Sequence, residues 1–408
     1  MRKKRLHPPA HFAVPLLALT VLTACIPRST REGLPEAAAD TRGQTLSQLH
    51  LQQEHTRLAA AWIPYFICER LLSEPDEAAC TAQVTEYLRA LHAHGIRTVF
   101  VHVCAFGETL YPSRYYPQAA AAGGHDGLAV FSEACKAADM QLHAWFNPLR
   151  LESGETMALQ TDDCALTRIF ADSAQRDTYL FLCGGRYYFN PAAEETADFL
   201  AGAAAEVTAR YPVAGVHIDD YFYPSPDTEA DAALFAASGE TDLAAWRRDR
   251  VSALVKRLCD AVHAADSDAV FSVSPQGNLQ LNRDTLFADV QRWLAEPGYC
   301  DLMLPQLYFG YENETCPFSE TLAAWCALPR SPETALGVGL AAYKTGERDD
   351  FAGTGAAEWQ RDGTVLQREI EEVTADPRLA GAALYHTDAV LAQAVRLPDK
   401  SAENCVNP

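Results

Sequence analysis

From about residue 58 the chain alternates short apolar runs with longer stretches of helical period. Runs rich in Val, Ile, Phe and Tyr occupy Ala60–Phe66, Thr98–Cys104, Gln141–Pro148, Ala214–Tyr221, Ala269–Pro275, Asp301–Phe309, Ala335–Tyr343 and Gly381–Thr387. Between them, Val84, Leu88 and Leu91 recur at i, i+4 and i+7. Val251, Leu254, Val255 and Leu258 do so at i, i+3, i+4 and i+7, the spacing of one buried helix face. Asn190-Pro191 opens a further helix that contains Phe199 and Leu200. Eight strands alternating with helices predict an α/β protein with a parallel sheet, closed as a (β/α)8 TIM barrel. No G-x-G-x-x-G follows a strand, which weighs against a dinucleotide-binding sheet. The longest gap, between the third and fourth strands, holds Arg186-Tyr187-Tyr188-Phe189 and predicts an elaborated loop on the active face.

The first residues follow a different pattern. Arg2, Lys3, Lys4 and Arg5 precede an apolar run, Ala13 to Ala24, that is too short to span a bilayer alone. The run ends in Leu22-Thr23-Ala24-Cys25, which resembles a bacterial lipobox. That resemblance implies cleavage before Cys25 and acylation of its thiol, so a lipid would anchor the protein to a membrane of the cell envelope. The expected organisation is a signal peptide over 1–24, a lipidated cysteine and flexible tether over 25–56, the barrel over 57–395 and a tail over 396–408.

Composition narrows the partners. Apolar residues at 48% and charged residues at 21% are ordinary globular values and exclude a mainly disordered chain. Fifty-four acidic residues against 33 basic ones give a net charge of −21. This argues against a nucleic-acid partner and against polybasic adhesion to anionic lipid. The 12 cysteines form no C-x-x-C pair and there is no H-E-x-x-H, so no metal and no cofactor is expected. Several cysteines, Cys104 among them, sit in apolar runs as buried thiols would. Cys316 and Cys326 are one pair able to close a loop.

In a barrel, catalytic groups sit at the C-terminal ends of the strands. The fourth strand reads Gly215-Val216-His217-Ile218-Asp219-Asp220-Tyr221. Alternation turns Val216 and Ile218 toward the helices and Gly215, His217 and Asp219 inward. Asp219 thus ends the strand facing the cleft, while Asp220 has the opposite parity. Adjacent aspartates are costly to bury unpaired, which suits a catalytic carboxylate, a helix cap or a structural ion pair. The same parity brings His143, Trp145 and Asn147, then Ser272 and Ser274, then Gln306 and Tyr308 to the interior or the same face. Lys344 and Glu347 follow the seventh strand, His386 and Asp388 the eighth, and Glu108 lies in the loop after the second. Aromatic faces beside amides and carboxylates suit a glycan substrate. Each also has a plainer role: Trp145 as packing, His143 and His217 as core residues, Lys344 as an ion-pair partner, Glu108 and Glu347 as solvated loop carboxylates.

Leu110-Tyr111-Pro112-Ser113, His143 to Pro148 (HAWFNP), Gly215 to Pro224 (GVHIDDYFYP), Trp246-Arg247-Arg248, Ser274-Pro275, Pro305 to Tyr308 and Tyr343 to Glu347 run in one order along the body. Together they resemble the glycosyl hydrolase-like 10 family. The resemblance implies a (β/α)8 glycoside hydrolase, and one member of that family acts on peptidoglycan glycan strands stripped of their peptides. It suggests Asp219 as the leading catalytic residue. The segment from Trp62 and the region from Gln276 to Arg292 depart from the family pattern. Glycoside hydrolysis uses two carboxyl groups, so Asp219 is expected as the ionised nucleophile or base, with Glu347, Glu108 or Asp220 as the acid. Trp145, Asn147, Tyr221, Gln306, Tyr308 and Lys344 are the expected substrate contacts. A non-catalytic glycan-binding lipoprotein on the same scaffold is the alternative. A metal-dependent hydrolase lacks a clustered ligand set.

Overall fold

The computed structural model describes residues 57–398 except 161 and 394. Cys25, the expected signal, the whole of the expected tether and residues 399–408 of the expected tail lie outside the described residues.

The barrel strands are β1 (Leu58–Ile63), β2 (Thr98–Cys104), β3 (Gln141–Phe146), β7 (Gly215–Ile218), β8 (Val270–Val273), β9 (Leu302–Met303), β10 (Ala335–Leu336), β11 (Val338–Ala341) and β12 (Gly381–Tyr385). A second, antiparallel sheet of β4 (Arg150–Ser153), β5 (Leu180–Cys183) and β6 (Arg186–Phe189) interrupts them. The barrel sheet runs in the order β10-β9-β8-β7-β3-β2-β1-β12-β11, with every pairing parallel. Only Gly337 separates β10 from β11, so they are one run of chain that pairs with β9 on one side and β12 on the other. The bonds Gly337 N–H to Met303 O, Gly339 N–H to Pro305 O and Leu307 N–H to Gly339 O, each 2.9 Å, complete the circle. Counted by runs of chain, eight strands close into the (β/α)8 barrel that the alternation predicts.

Strand parity also follows the sequence. The outward set, including Val99, Val101, Ala144, Val216, Ile218, Phe271 and Val273, packs under the helices. Ala60, Trp62, Phe100, Trp145, Leu302, Leu304 and Ala383 fill the barrel. The helix Glu77–Ala93 buries Val84, Leu88 and Leu91, and Leu243–Ala265 buries Val251, Leu254, Val255 and Leu258. Asp76, Asp126 and Asp242 cap the helices that follow them with side-chain bonds to backbone N–H groups.

Several strand ends come earlier than the apolar runs suggest. β1 stops at Ile63 because Pro64 opens the helix Tyr65–Leu71, so Tyr65 and Phe66 are helical. β9 covers only Leu302–Met303, since Pro305 has no N–H to give the ladder. The long gap after β3 holds a folded insertion: the small sheet and the helices Gly154–Leu159, Ala165–Ala171 and Ser173–Tyr179. The Asn190-Pro191 turn leads into a helix that starts at Glu194.

The ten cysteines of the described residues are free, seven of them buried. Cys316 and Cys326 therefore form no disulfide. Among the described residues no helix is long and apolar enough to cross a membrane, and no His, Cys, Asp and Glu group is arranged to hold a metal ion.

Candidate active site

The interior of the barrel below its C-terminal face is a layer of rings. His143 sits beside Gly215 across the β3–β7 ladder, and Trp145 beside His217. A Cβ on Gly215 would lie 2.8 Å from His143 Nδ1, so the imidazole occupies the space that glycine leaves. The Trp62 indole donates to His217 Nε2 at 3.0 Å. That nitrogen is therefore the acceptor, and the proton on Nδ1 is donated to Ser272 Oγ at 2.8 Å. His102 stacks on Trp145 with centroids 3.6 Å apart. Burial keeps all three imidazoles neutral: His143 is pushed down to about 4, His102 and His217 well below their usual value.

On this floor sit the two aspartates. β7 ends at Ile218, so strand alternation no longer binds Asp220, and both carboxyls reach the strand-end face. Asp219 is buried, 2% exposed, and accepts the Trp145 indole N–H at 2.9 Å and the Tyr221 backbone N–H at 3.4 Å. Asp220 is half-buried. Gln306 donates to its Oδ1 at 3.2 Å and Gln276 donates to its Oδ2. Burial pushes both carboxyls above the usual range, and for Asp219 the neighbouring charge of Asp220 adds to the effect. The two amides and the field of Arg150 oppose this at Asp220.

The other expected contacts take varied positions. Trp145 is buried, with its face covered by His102 and its N–H on Asp219. Tyr221 is 40% exposed, its ring beneath the Arg150 guanidinium. Asn147, with its amide oxygen turned toward Arg150, accepts from Nε and Nη2 at 3.0 Å each. Gln306 bridges Asp220 to Ser274, donating to the Ser274 carbonyl at 2.9 Å. Tyr308 stacks with Tyr385 at 5.8 Å. Lys344 Nζ is committed to the Tyr308 carbonyl and to Asp349 Oδ2, both at 2.6 Å, so it ties the loop after β11 to the aromatic wall.

The two loop carboxyls differ in exposure. Glu108 is half-buried in the loop after β2, bonded to Gln160, and pushed up by burial and by Glu152. Glu347 is exposed in the loop after β11. The structure thus brings Asp219 and Asp220 together and leaves Glu347 at the surface. Two surface recesses, of about 540 and 290 Å³, lie elsewhere, the larger beside Arg114 and Glu206.

Arg150, Gln276, Tyr385 and the mouth aromatics Tyr65, Phe66 and Phe106 were not singled out by the sequence. Tyr343 at 38% and Phe66 at 43% exposure line the rim, with His386 packed against both. Gln276 and Tyr385 were within reach of strand-end reasoning, since each stands at or just past the end of a strand. Arg150 owes its position to the inserted sheet, which no local pattern announced.

Comparison with known proteins adds to this geometry. The family model described as Glycosyl hydrolase-like 10 matches residues 60–353. DigH of Escherichia coli, named a glycosyl hydrolase, is 26% identical over 360 residues, covering 78% of each chain. YngK of Bacillus subtilis, also named a glycosyl hydrolase, is 28% identical over 325 residues, covering 71% of this chain and 62% of that one. Among solved structures, the PgaB (BpsB) glycoside hydrolase domain from Bordetella bronchiseptica matches with a TM-score of 0.53 at 13% identity. That match covers 84% of this chain and 99% of the domain, and it is a likeness of fold.

Proposed function

The chain belongs to the glycosyl hydrolase-like 10 family, and from that premise we propose that it is a glycoside hydrolase of a cell-envelope glycan, with peptide-free peptidoglycan strands as the substrate. The observation that carries this reading is the aspartate pair on the strand-end face, with one carboxyl buried and the other held by two amides. Groups whose surroundings push their protonation apart divide acid and base roles between them. Here the more deeply buried Asp219 keeps the proton and is the general acid that protonates the leaving oxygen. Asp220 carries the negative charge that stabilises the oxocarbenium-like transition state; water then adds at the anomeric carbon and its proton returns to the Asp219 carboxylate. This exchanges the roles expected from sequence, where Asp219 was the ionised group. The aromatic rim offers faces to sugar rings. Acylation of Cys25 would hold the barrel against the envelope, in keeping with such a substrate.

The test is incubation of the purified protein with peptide-free strands, with products followed by mass spectrometry. Shortened strands support a hydrolase; binding with no turnover on every glycan tried supports the glycan-binding alternative.

Two expectations follow from the pair. Activity needs Asp219 protonated and Asp220 ionised, so kcat/KM falls at low pH as Asp220 takes a proton and falls again as pH rises through the raised value of Asp219. The alkaline limb should lie well above the usual aspartate value of about 3.9. An alkaline limb within the ordinary carboxylate range overturns the assignment. Gln306→Leu strips one amide from the anionic Asp220, and bonds to charged groups contribute about 1.5–3 kcal/mol. Its kcat should drop by roughly tenfold to a hundredfold with little change in KM, as steady-state kinetics would read.

A further inference from the structure

We propose that Arg150 forms a carboxylate-recognition subsite beside the Asp219–Asp220 pair, which makes the cleft selective for a glycan that carries an acidic sugar. This deepens the glycosidase reading of the same cleft and rests on it.

Arg150 opens β4 and lies opposite Tyr188 of β6, with Arg186 two residues from Tyr188 and so on the same face of the small sheet. Its guanidinium carbon is 3.6 Å from the Tyr221 ring centroid and 4.6 Å from that of Phe106. Arg186 approaches Phe106 at 4.6 Å as well. The Asn147 amide oxygen receives Nε and Nη2. Stacking and the amide together fix the plane of the fork before anything binds.

What Arg150 does not have among the described residues is a paired carboxylate, although the ionised Asp220 lies within its field. Arg186, by contrast, lies 3.7 Å from Glu152 and donates to the Leu151 carbonyl at 2.9 Å. A group needed only to neutralise the aspartates would rest on one of them. Arg150 instead acts on both through its field without coming within ion-pair distance of either. A planar cation, pre-positioned and without an ion-pair partner among the described residues of a chain of net charge −21, matches a carboxylate brought by the ligand. Without it, the ionised Asp220 would repel such a sugar.

The experiment compares peptide-free strands bearing lactyl carboxylates with the same strands reduced to alcohols. A third arm is an oligosaccharide alternating glucuronate and N-acetylglucosamine. Affinity is read by calorimetry in the Asp219→Asn background, with Arg150, R150Q and R150K. Turnover is read with Asp219 in place. Intact strands should bind the Arg150 protein at least about tenfold more tightly than reduced ones. R150Q should abolish that preference, and R150K should restore part of it. The glucuronate arm tells whether any sugar carboxylate serves or only the lactyl group. Equal affinity for intact and reduced strands overturns the subsite without need of a variant. So does an R150Q loss that is the same on both, since this marks a general electrostatic role. Cleavage without discrimination leaves the hydrolase standing and removes the subsite. Discrimination without cleavage does the reverse.

Discussion

Asp219→Asn should give a folded protein whose kcat is lower by about a thousandfold or more, the upper range for loss of a positioned general acid. Asparagine keeps an oxygen for the Trp145 indole, so the floor of the cleft stays in place. The thermal midpoint should not fall, and at neutral pH it should rise. Burial holds the folded-state value of Asp219 above its unfolded value. Such a group gives its full stability below the unfolded value and loses it as pH rises through the folded one. The amide has no such loss, so the midpoint gap between variant and wild type should widen with pH, as a melting series would record. Retention of more than about a tenth of wild-type turnover removes Asp219 from the acid role. A large drop in midpoint would make it a structural residue.

The largest effect on stability is expected at Arg247. The family-like Trp246-Arg247-Arg248 segment lies on the helix after the aspartate loop, and Arg247 is buried with Asp231. Nε and Nη2 meet the two carboxylate oxygens at 2.7 Å each, and the Tyr223 hydroxyl donates to Oδ2 at 2.8 Å. Nη1 donates to the Pro226 carbonyl at 2.7 Å, and Nη2 to that of Thr228 at 2.5 Å. One side chain thus gathers the segment that leaves Asp220. Arg247→Met strands a buried carboxylate and frees two carbonyls, which should cost about 3–5 kcal/mol. Pairing it with Asp231→Leu should recover much of that loss, because the uncompensated charge goes too. Denaturant titration decides: a cost below about 1 kcal/mol would place the pair among weak surface bridges.

Much of the barrel was legible because its signals are local. Alternation in β3 and β7 placed Trp145 and His217 inside and Val216 and Ile218 under the helices. It also placed Asp219 at the strand end. Termini were harder to read, since Pro64 and Pro305 cut runs whose hydrophobicity continues. Asp220 shows the limit of parity: once β7 ends, its direction is set by Gln276 and Gln306 from the two strands that follow. Gln306 and Lys344 read as substrate contacts because sequence shows a polar group at a strand end but not its partner. In the structure those partners are Asp220 with Ser274, and Asp349 with the Tyr308 carbonyl. Arg150 needed the inserted sheet, whose strands β4 and β6 lie more than thirty residues apart in the chain.

The free thiols bear on how the chain tolerates oxidants. Burial raises the values of Cys68, Cys104, Cys135, Cys259 and Cys300, so the reactive thiolate is suppressed by protonation as well as by lack of access. Once closed, the barrel shields these five thiols from the redox poise around it, while Cys183, Cys316 and Cys326 stay half-buried. Before closure the same sulfurs are ordinary reactive groups. Were the chain exported through an oxidising compartment, as the proposed lipid anchor implies, barrel closure would compete with mispairing of these thiols.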